Sequence, residues 1–312
     1  MKGRMGRRRF LLTSAGSMLS LAARARAAGG GAAMLERPIP RSSERLPVIG
    51  LGTWQTFDVG ASPEDRAPLG EVMRLFLAGG GRVVDSSPMY GRAEGVAGDL
   101  LAASGATGRP FLATKVWTPG RAAGEAQMRE SMKRLRTERI DLMQVHNLLD
   151  WETHLPVLRA WKEQGRIRYL GVTHYARSAF PLLERMLATE HLDFVQLPYS
   201  IGSREAEKRL LPAAADSGTA VLVMRPFEEG ALFSAVRGKP LPTWASEIGA
   251  ASWAQVFLKF VVSHPAVTCA IPATSKPDHQ IDNLAAGAGP MPDDRMRRRM
   301  AADFRHGEPP WP

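Results

Sequence analysis

The chain has 312 residues, 44% hydrophobic and 23% charged, which suits one large globular domain or two small ones and excludes a disordered or collagen-like protein. A net charge of +10 points first to a nucleic-acid partner. However, Lys2, Arg4, Arg7, Arg8, Arg9, Arg24 and Arg26 all fall within 1–27, where there is no acid, and without these seven the balance drops to +3. The single cysteine, Cys269, lies in the apolar run 266–271, so an internal disulfide is excluded and a core position is expected.

At the N-terminus, Arg7-Arg8-Arg9-Phe10-Leu11 has the form R-R-x-F-L. A mildly apolar run over 11–23 follows, and then the small-residue site Ala25-Arg26-Ala27. The segment resembles a twin-arginine signal peptide over 1–27, with cleavage expected after Ala27 or Ala28. That implies engagement of the twin-arginine export machinery and delivery of a folded protein to the periplasm. The apolar run is too short and too polar for a stable membrane anchor. Residues 28–45 read as a linker and barrel-base segment, and 46–312 as the main domain, expected to be a monomer.

From residue 46 onward, short β-branched runs alternate with helical patterns. Strands are predicted over 48–53, 82–86, 111–116, 140–146, 167–172, 193–197, 220–224 and 267–271. Helical stretches include 69–77, 125–135, 155–164, 181–187, 205–215, 253–263, 277–286 and 293–302. Eight strand–helix units predict an α/β protein of the (β/α)8 TIM-barrel class, its strands parallel through right-handed crossovers. A doubly wound sheet would favour a glycine-rich dinucleotide fingerprint after the first strand. Here Val48-Ile49-Gly50-Leu51-Gly52-Thr53-Trp54 lacks the third glycine, so Gly50 and Gly52 read as small residues in a crowded strand. The cluster Arg295, Arg297, Arg298 and Arg299, beside Asp293, Asp294 and Asp303, reads as a solvated helix face with no aromatic residues to stack bases, so no nucleic acid is expected.

Ionisable residues recur at predicted strand ends. Asp85 ends the second strand, Lys115 the third and His146 the fourth, with Tyr90 five residues past Asp85. Barrel enzymes place their chemistry at the carboxyl ends of strands, so these groups are expected to face one mouth. Singly, each has an ordinary structural use, as a helix cap, a strand-end cation, a core imidazole or a packed ring. Jointly, four independent placements at one end of one barrel would be needed.

On these residues the chain resembles the aldo-keto reductase family over 46–290. The matching segments are Leu51-Gly52-Thr53-Trp54, Asp85-Ser86-Ser87-Pro88-Met89-Tyr90-Gly91, Thr114-Lys115-Val116-Trp117, Ile140-Asp141-Leu142 leading to His146, Gly171-Val172-Thr173-His174-Tyr175 and Ile271-Pro272-Ala273-Thr274-Ser275. The resemblance implies that Asp85, Tyr90, Lys115 and His146 are the catalytic four. Hydride transfer to a carbonyl leaves an alkoxide that needs a proton, and a free phenol, with pKa about 10, holds its proton tightly. The Lys115 ammonium is expected to lower the Tyr90 pKa, with Asp85 holding Lys115 charged. His146 either hydrogen-bonds the substrate oxygen or completes a proton relay. Tyr90 is then the general acid of an enzyme reducing aldehydes or ketones.

The same resemblance implies a cofactor site. Thr173, His174 and Gln196 match the positions that hold the nicotinamide carboxamide, and Gly52 and Thr53 lie beside them in the matching set. Met224, Arg225 and Pro226 stand where an aromatic residue usually stacks on the ring. Thr274, Ser275, Lys276 and His279 match the phosphate-binding segment, and Asp282 with Asn283 the pair that contacts adenine. Departures are His174 for an asparagine, Met224 for the aromatic, and Ala273 and His279 for a lysine and an arginine. NADP is expected ahead of NAD. Trp54, Trp117 and Asn147 match the substrate pocket, and no metal is expected. The departures motivate an alternative, a nucleotide-binding barrel with a sensor or partner-subunit role. A metal-dependent hydrolase lacks its His-x-His pair or clustered carboxylates.

Overall fold

The computed structural model describes residues 33–105 and 110–305. The expected signal peptide at 1–27 and the C-terminal segment 306–312 lie outside them. The described chain opens with an antiparallel hairpin, β1 (Glu36–Pro38) and β2 (Arg45–Pro47). Eight strands follow: β3 (Leu51–Gly52), β4 (Val83–Asp85), β5 (Phe111–Val116), β6 (Ile140–His146), β7 (Ile167–Thr173), β8 (Phe194–Pro198), β9 (Ala220–Met224) and β10 (Cys269–Ala270). They are all parallel and pair in sequential order. Parallel bridges from Ile49 to Ala270 and from Gly52 to Ala273 join the first strand region to the last, closing the (β/α)8 barrel that the alternation predicts.

Helices α1 (Pro63–Ala78), α2 (Ala93–Ala103), α3 (Arg121–Arg134), α4 (Trp151–Glu163), α5 (Phe180–Thr189), α6 (Leu210–Asp216), α7 (Ala231–Ala235), α8 (Trp253–Val262), α9 (Pro277–Ala285) and α10 (Asp294–Arg305) follow in chain order. Helix α1 starts well before the apolar stretch at 69–77 because Ser62 caps it, accepting from Asp65 N, with Pro63 in the first turn and Glu64 and Asp65 suited to the positive end of the helix dipole.

The predicted strands at 48–53 and 267–271 shorten to two residues each, for a steric reason at the seam. A Cβ on Gly52 would stand 2.8 Å from Ile271 O, and one on Gly50 would stand 3.0 Å from both Val83 O and Ile271 Cγ2. The glycines admit this close approach, as the sequence suggests, and the contact is made by isolated bridges instead of a continuous ladder.

Period-two alternation sorts the strand residues. Val84, Leu112, Met143, Val145, Val172, Val195 and Val221 join the large outer core with the helices. Val83, Phe111, Ala113, Leu142, Phe194, Ala220, Leu222, Cys269 and Ile271 form an inner core, joined by Ile39 and Leu46 from the hairpin segment. Each fully buried Val, Leu, Ile or Phe among them contributes about 1.5–3 kcal/mol. Arg41, in the hairpin turn, donates to Leu192 O and Gly218 O at the start of β8 and β9, so the hairpin plugs the amino-terminal end of the barrel. Of the two ends of the barrel, the carboxyl end is the one left open.

One surface expectation is corrected. Arg297 is not on a solvated face: at 8% exposure it binds Tyr199 Oη at 2.6 Å, Glu207 Oε1 at 2.7 Å and Ser263 Oγ at 2.9 Å. The turn of α10 carries that one arginine of the four inward, over the ring of Phe260, where a carboxylate meets it. Among the described residues, no helix is long and apolar enough to cross a membrane.

Candidate active site

The inward positions change character toward the mouth. Val83, Phe111, Leu142 and Phe194 line the floor, and two to four residues further along the same strands come Asp85, Lys115, Gln144, His146 and Gln196, all buried. Pairing of Asp85 with Ala113, Lys115 with Gln144, His146 with Thr173 and Thr173 with Gln196 sets them side by side.

Lys115 is fully buried and donates to Asp85 Oδ2 at 2.8 Å and to Ser86 O at 2.6 Å. Its Nζ lies 5.1 Å from the centre of the Tyr90 ring. The Gln144 amide donates to Gln196 Oε1 at 2.9 Å, and both amides stand 3.5 Å from the Asp85 oxygens. Thr53 Oγ1 donates to Asp85 O at 3.0 Å, tying the end of β3 to the strand that carries the carboxylate. Tyr90 sits on the turn after β4, its N–H bonded to Ser87 O at 3.0 Å, and meets His146 edge to face at 5.9 Å. His146 Nδ1 lies 3.0 Å from Ser87 Oγ, with the Trp117 ring 6.3 Å away. The four predicted residues therefore converge.

Their ionisation is decided by burial and counter-charge. Burial works to lower the Lys115 pKa, but Asp85 and Tyr90 outweigh it and the net shift is upward. Burial raises the Asp85 carboxyl, opposed by Lys115 and the two amides. The pair is ionised, because a neutral carboxyl would leave a fully buried ammonium without a counter-charge. For Tyr90 the sequence expectation needs correcting. Lys115 does pull the phenol pKa down, but burial is the larger effect and the net shift is upward. The phenol is thus a protonated donor. Burial, then Lys115, then His174 push His146 down to about 2, so its imidazole is neutral throughout the physiological range.

Around this centre, Thr173 Oγ1 and Asn147 Oδ1 are buried without a hydrogen-bond partner. Trp117 is exposed, Met224 half-buried against the inner core, and Pro226 buried. The Arg225 guanidinium lies 5.7 Å from the Trp54 ring and 4.8 Å from the Tyr175 ring, paired with Glu229 at 2.9 Å. The His174 ring stacks on Tyr175 and its Nδ1 accepts from Ala176 N at 3.0 Å. Gly52 serves the seam. A 440 Å³ cavity opens beside the site between the loops after β7, β8 and β9, lined by Tyr175, Ser200, Ser203, Arg225 and Glu229. A cavity of 970 Å³ lies elsewhere, on the flank between α5 and α6, and neither cavity is lined by any of the four residues.

The 274–283 residues form a separate group around the start of α9. Thr274 is buried and its Oγ1 accepts from Lys276 N at 3.0 Å, while Ser275, Lys276 and His279 are exposed. The Asp282 carboxylate is engaged by Ser252 Oγ and Gln255 Nε2, both at 2.6 Å, and Asn283 is buried. Sequence reading missed Ser86, Ser87, Gln144 and Gln280. Gln144 was within reach, since it stands two residues before His146 on the same inward face. Gln280 is a fully buried amide with no partner on either atom, which no sequence pattern announces.

A phenol, a buried ion pair and a neutral imidazole at the carboxyl end of a parallel barrel define an acid–base site of the barrel-enzyme class. The chain belongs to the Aldo/keto reductase family, whose sequence profile matches residues 48–303. It is 30% identical over 190 residues to the Bacillus subtilis aldo-keto reductase YhdN, the match spanning 56% of each chain, little more than half of that relative's length. It is 28% identical over 248 residues to the Escherichia coli methylglyoxal reductase YeaE, covering 77% of this chain and 85% of that one. Among solved structures, a Klebsiella pneumoniae aldo/keto reductase in complex with NADP and acetate superposes with a TM-score of 0.71 at 25% identity, covering 83% of this chain and 92% of that one. The holo form of AKR11C1 from Bacillus halodurans shares the fold, with a TM-score of 0.68 at 22% identity over 87% of this chain and 96% of that one.

Proposed function

We propose that this protein is an NADP-dependent reductase of small aldehydes and ketones, of the carbonyl reductase type. The observation that carries the reading is the contact of Lys115 Nζ with Asp85 Oδ2 at 2.8 Å while the same nitrogen faces the Tyr90 ring at 5.1 Å. The buried, unpartnered Thr173 Oγ1, beside the Gln196 amide and near the apolar Met224 at the mouth, suits an amide-bearing planar ring. NADP as the cofactor is supported by the Klebsiella relative, which holds it at 25% identity. Ser275 and Lys276, exposed beside Thr274, are the residues of this chain available to its phosphate end.

When bound, the reduced nicotinamide supplies a hydride to the carbonyl carbon. Tyr90 gives its proton to the carbonyl oxygen as charge develops there. Lys115 then stabilises the resulting tyrosinate, and Asp85 keeps Lys115 charged and in place. The neutral His146 holds the oxygen by a hydrogen bond from its one N–H. Trp117 and Trp54 wall the pocket. A sensor role would have no use for an ion pair aimed at a phenol. Short 2-oxoaldehydes are the first substrates to try, since the Escherichia coli relative is a methylglyoxal reductase. The test is loss of NADPH absorbance with methylglyoxal and a panel of aldehydes, run in parallel with NADH. Turnover with NADPH is expected, and none with any carbonyl would overturn the reading.

The segment 1–27 is proposed as a twin-arginine signal that sends the folded monomer to the periplasm, supported by Arg7-Arg8-Arg9-Phe10-Leu11 and Ala25-Arg26-Ala27. Replacing Arg7 and Arg8 together by lysine is expected to hold the protein in the cytoplasm. An undiminished periplasmic yield would refute the signal.

A further inference from the structure

The catalytic set carries a neutral histidine whose usefulness depends on which ring nitrogen bears the proton. Only an Nε2–H tautomer donates from the nitrogen opposite Nδ1, and Nδ1 is already engaged: it lies 3.0 Å from Ser87 Oγ. The partner is a hydroxyl and can donate or accept, so the tautomer follows from what else that hydroxyl does. Ser87 is fully buried, so water does not take up an unused proton. Its oxygen already accepts from Met89 N at 3.4 Å, and among the described residues the hydrogen-bond partners of Ser87 Oγ are that one and His146.

If Nδ1 carried the proton, Ser87 Oγ would accept twice and its own proton would be buried with no acceptor. If Nδ1 is bare, Ser87 gives it that proton, accepts from Met89, and both groups are satisfied. The arrangement is rigid as well. Ser87 lies between the strand end carrying Asp85 and the turn carrying Tyr90, and the Tyr90 N–H bonds to Ser87 O at 3.0 Å.

We propose that Ser87 is a positioning residue that locks His146 as its Nε2–H tautomer and so aims a hydrogen-bond donor at the substrate oxygen. This deepens the reading of the site as a carbonyl reductase. It makes the segment Asp85-Ser86-Ser87-Pro88-Met89-Tyr90 a single device: the carboxylate that holds the lysine, the hydroxyl that sets the imidazole and the phenol that gives the proton lie within six residues of chain.

The test reads the tautomer directly. Long-range ¹⁵N–¹H correlation spectra of histidine-labelled protein distinguish the two tautomers, and His146 is picked out of the seven histidines by the signal missing in His146→Gln. Wild type is expected to show the Nε2–H pattern, unchanged between pH 6 and 8, values chosen to straddle the ordinary histidine range. Ser87→Ala is expected to give a mixed or Nδ1–H pattern, with kcat for methylglyoxal reduced about tenfold, while NADPH affinity and the melting temperature verify the fold. Ser87→Thr, which keeps the hydroxyl, is expected to restore the Nε2–H pattern and most of kcat. An Nδ1–H signal in wild type, or an unaltered tautomer in a folded Ser87→Ala, overturns the proposal. Failure of the wild type to reduce any carbonyl would instead sink the functional reading, and the spectra would still report on Ser87.

Discussion

Among the described residues two lysines are fully buried, Lys115 at the barrel mouth and Lys259 on α8, beneath the loop that joins α9 to α10. Lys115 meets a carboxylate and a phenol, and its pKa rises. Lys259 donates to Ala288 O at 2.6 Å and Pro290 O at 3.0 Å, and burial lowers it to about 8. Two carbonyl dipoles accept hydrogen bonds from an ammonium without replacing its lost hydration, whereas a carboxylate accepts one and also supplies a counter-charge. The mouth therefore keeps a fixed positive charge at neutral pH, and the α8 site holds a charge that burial works to remove. Burial alone does not mark a functional lysine; a buried counter-charge next to a reactive group does.

The sharpest way to break this contrast is to remove one partner at the mouth. Lys115→Met should lower kcat/KM for aldehydes by about 10²–10³, because the tyrosinate formed after proton transfer loses its nearest cation. The same change should cost about 3–5 kcal/mol in urea unfolding, since Asp85 is left buried and unpaired. Adding Asp85→Leu to Lys115→Met should recover much of that stability without recovering activity. Recovery of activity as well would mean that the ion pair serves only the fold.

At Lys259 the expected effects are smaller and confined to stability. Lys259→Met should leave the kinetics alone and cost about 1–3 kcal/mol through the two carbonyls left without a donor. The sign of its pH dependence is opposite to that of a paired lysine. Between pH 8 and the unfolded value of about 10.4, the unfolded chain holds the proton that folded Lys259 has lost. Wild-type stability should therefore gain a rising contribution through that window, which is absent from Lys259→Met; parallel curves would show that Lys259 is not desolvated as described. Smallest of all is an effect that should not appear. With His146 at about 2, the pH profile of kcat/KM should show no histidine inflection near 6.5.

The four converging residues were legible because each sits at or just past the end of a strand whose apolar alternation is plain, and the (β/α)8 order was legible from the same runs. Gln144 obeyed that alternation too but carried no charge to draw notice. The hairpin plug was less visible: β1 and β2 are three residues each, and β1 is Glu36-Arg37-Pro38, with no apolar alternation to mark it. The upward Tyr90 shift was beyond reach, since its sign depends on how far the ring is buried against how near Lys115 comes. Arg297 failed for the same kind of reason. Four arginines on a short segment look alike until the helix turn that faces Glu207 and Tyr199 is known.

The most direct test of the acid–base site is Tyr90→Phe, which removes the phenol oxygen and keeps the ring against Lys115 and His146. Turnover of methylglyoxal with NADPH should fall by at least about 10³, within the range of a lost general acid, while NADPH binding followed by fluorescence stays within about twofold, well under the 1.4 kcal/mol of a tenfold change. Turnover close to wild type in the folded variant would contradict the account.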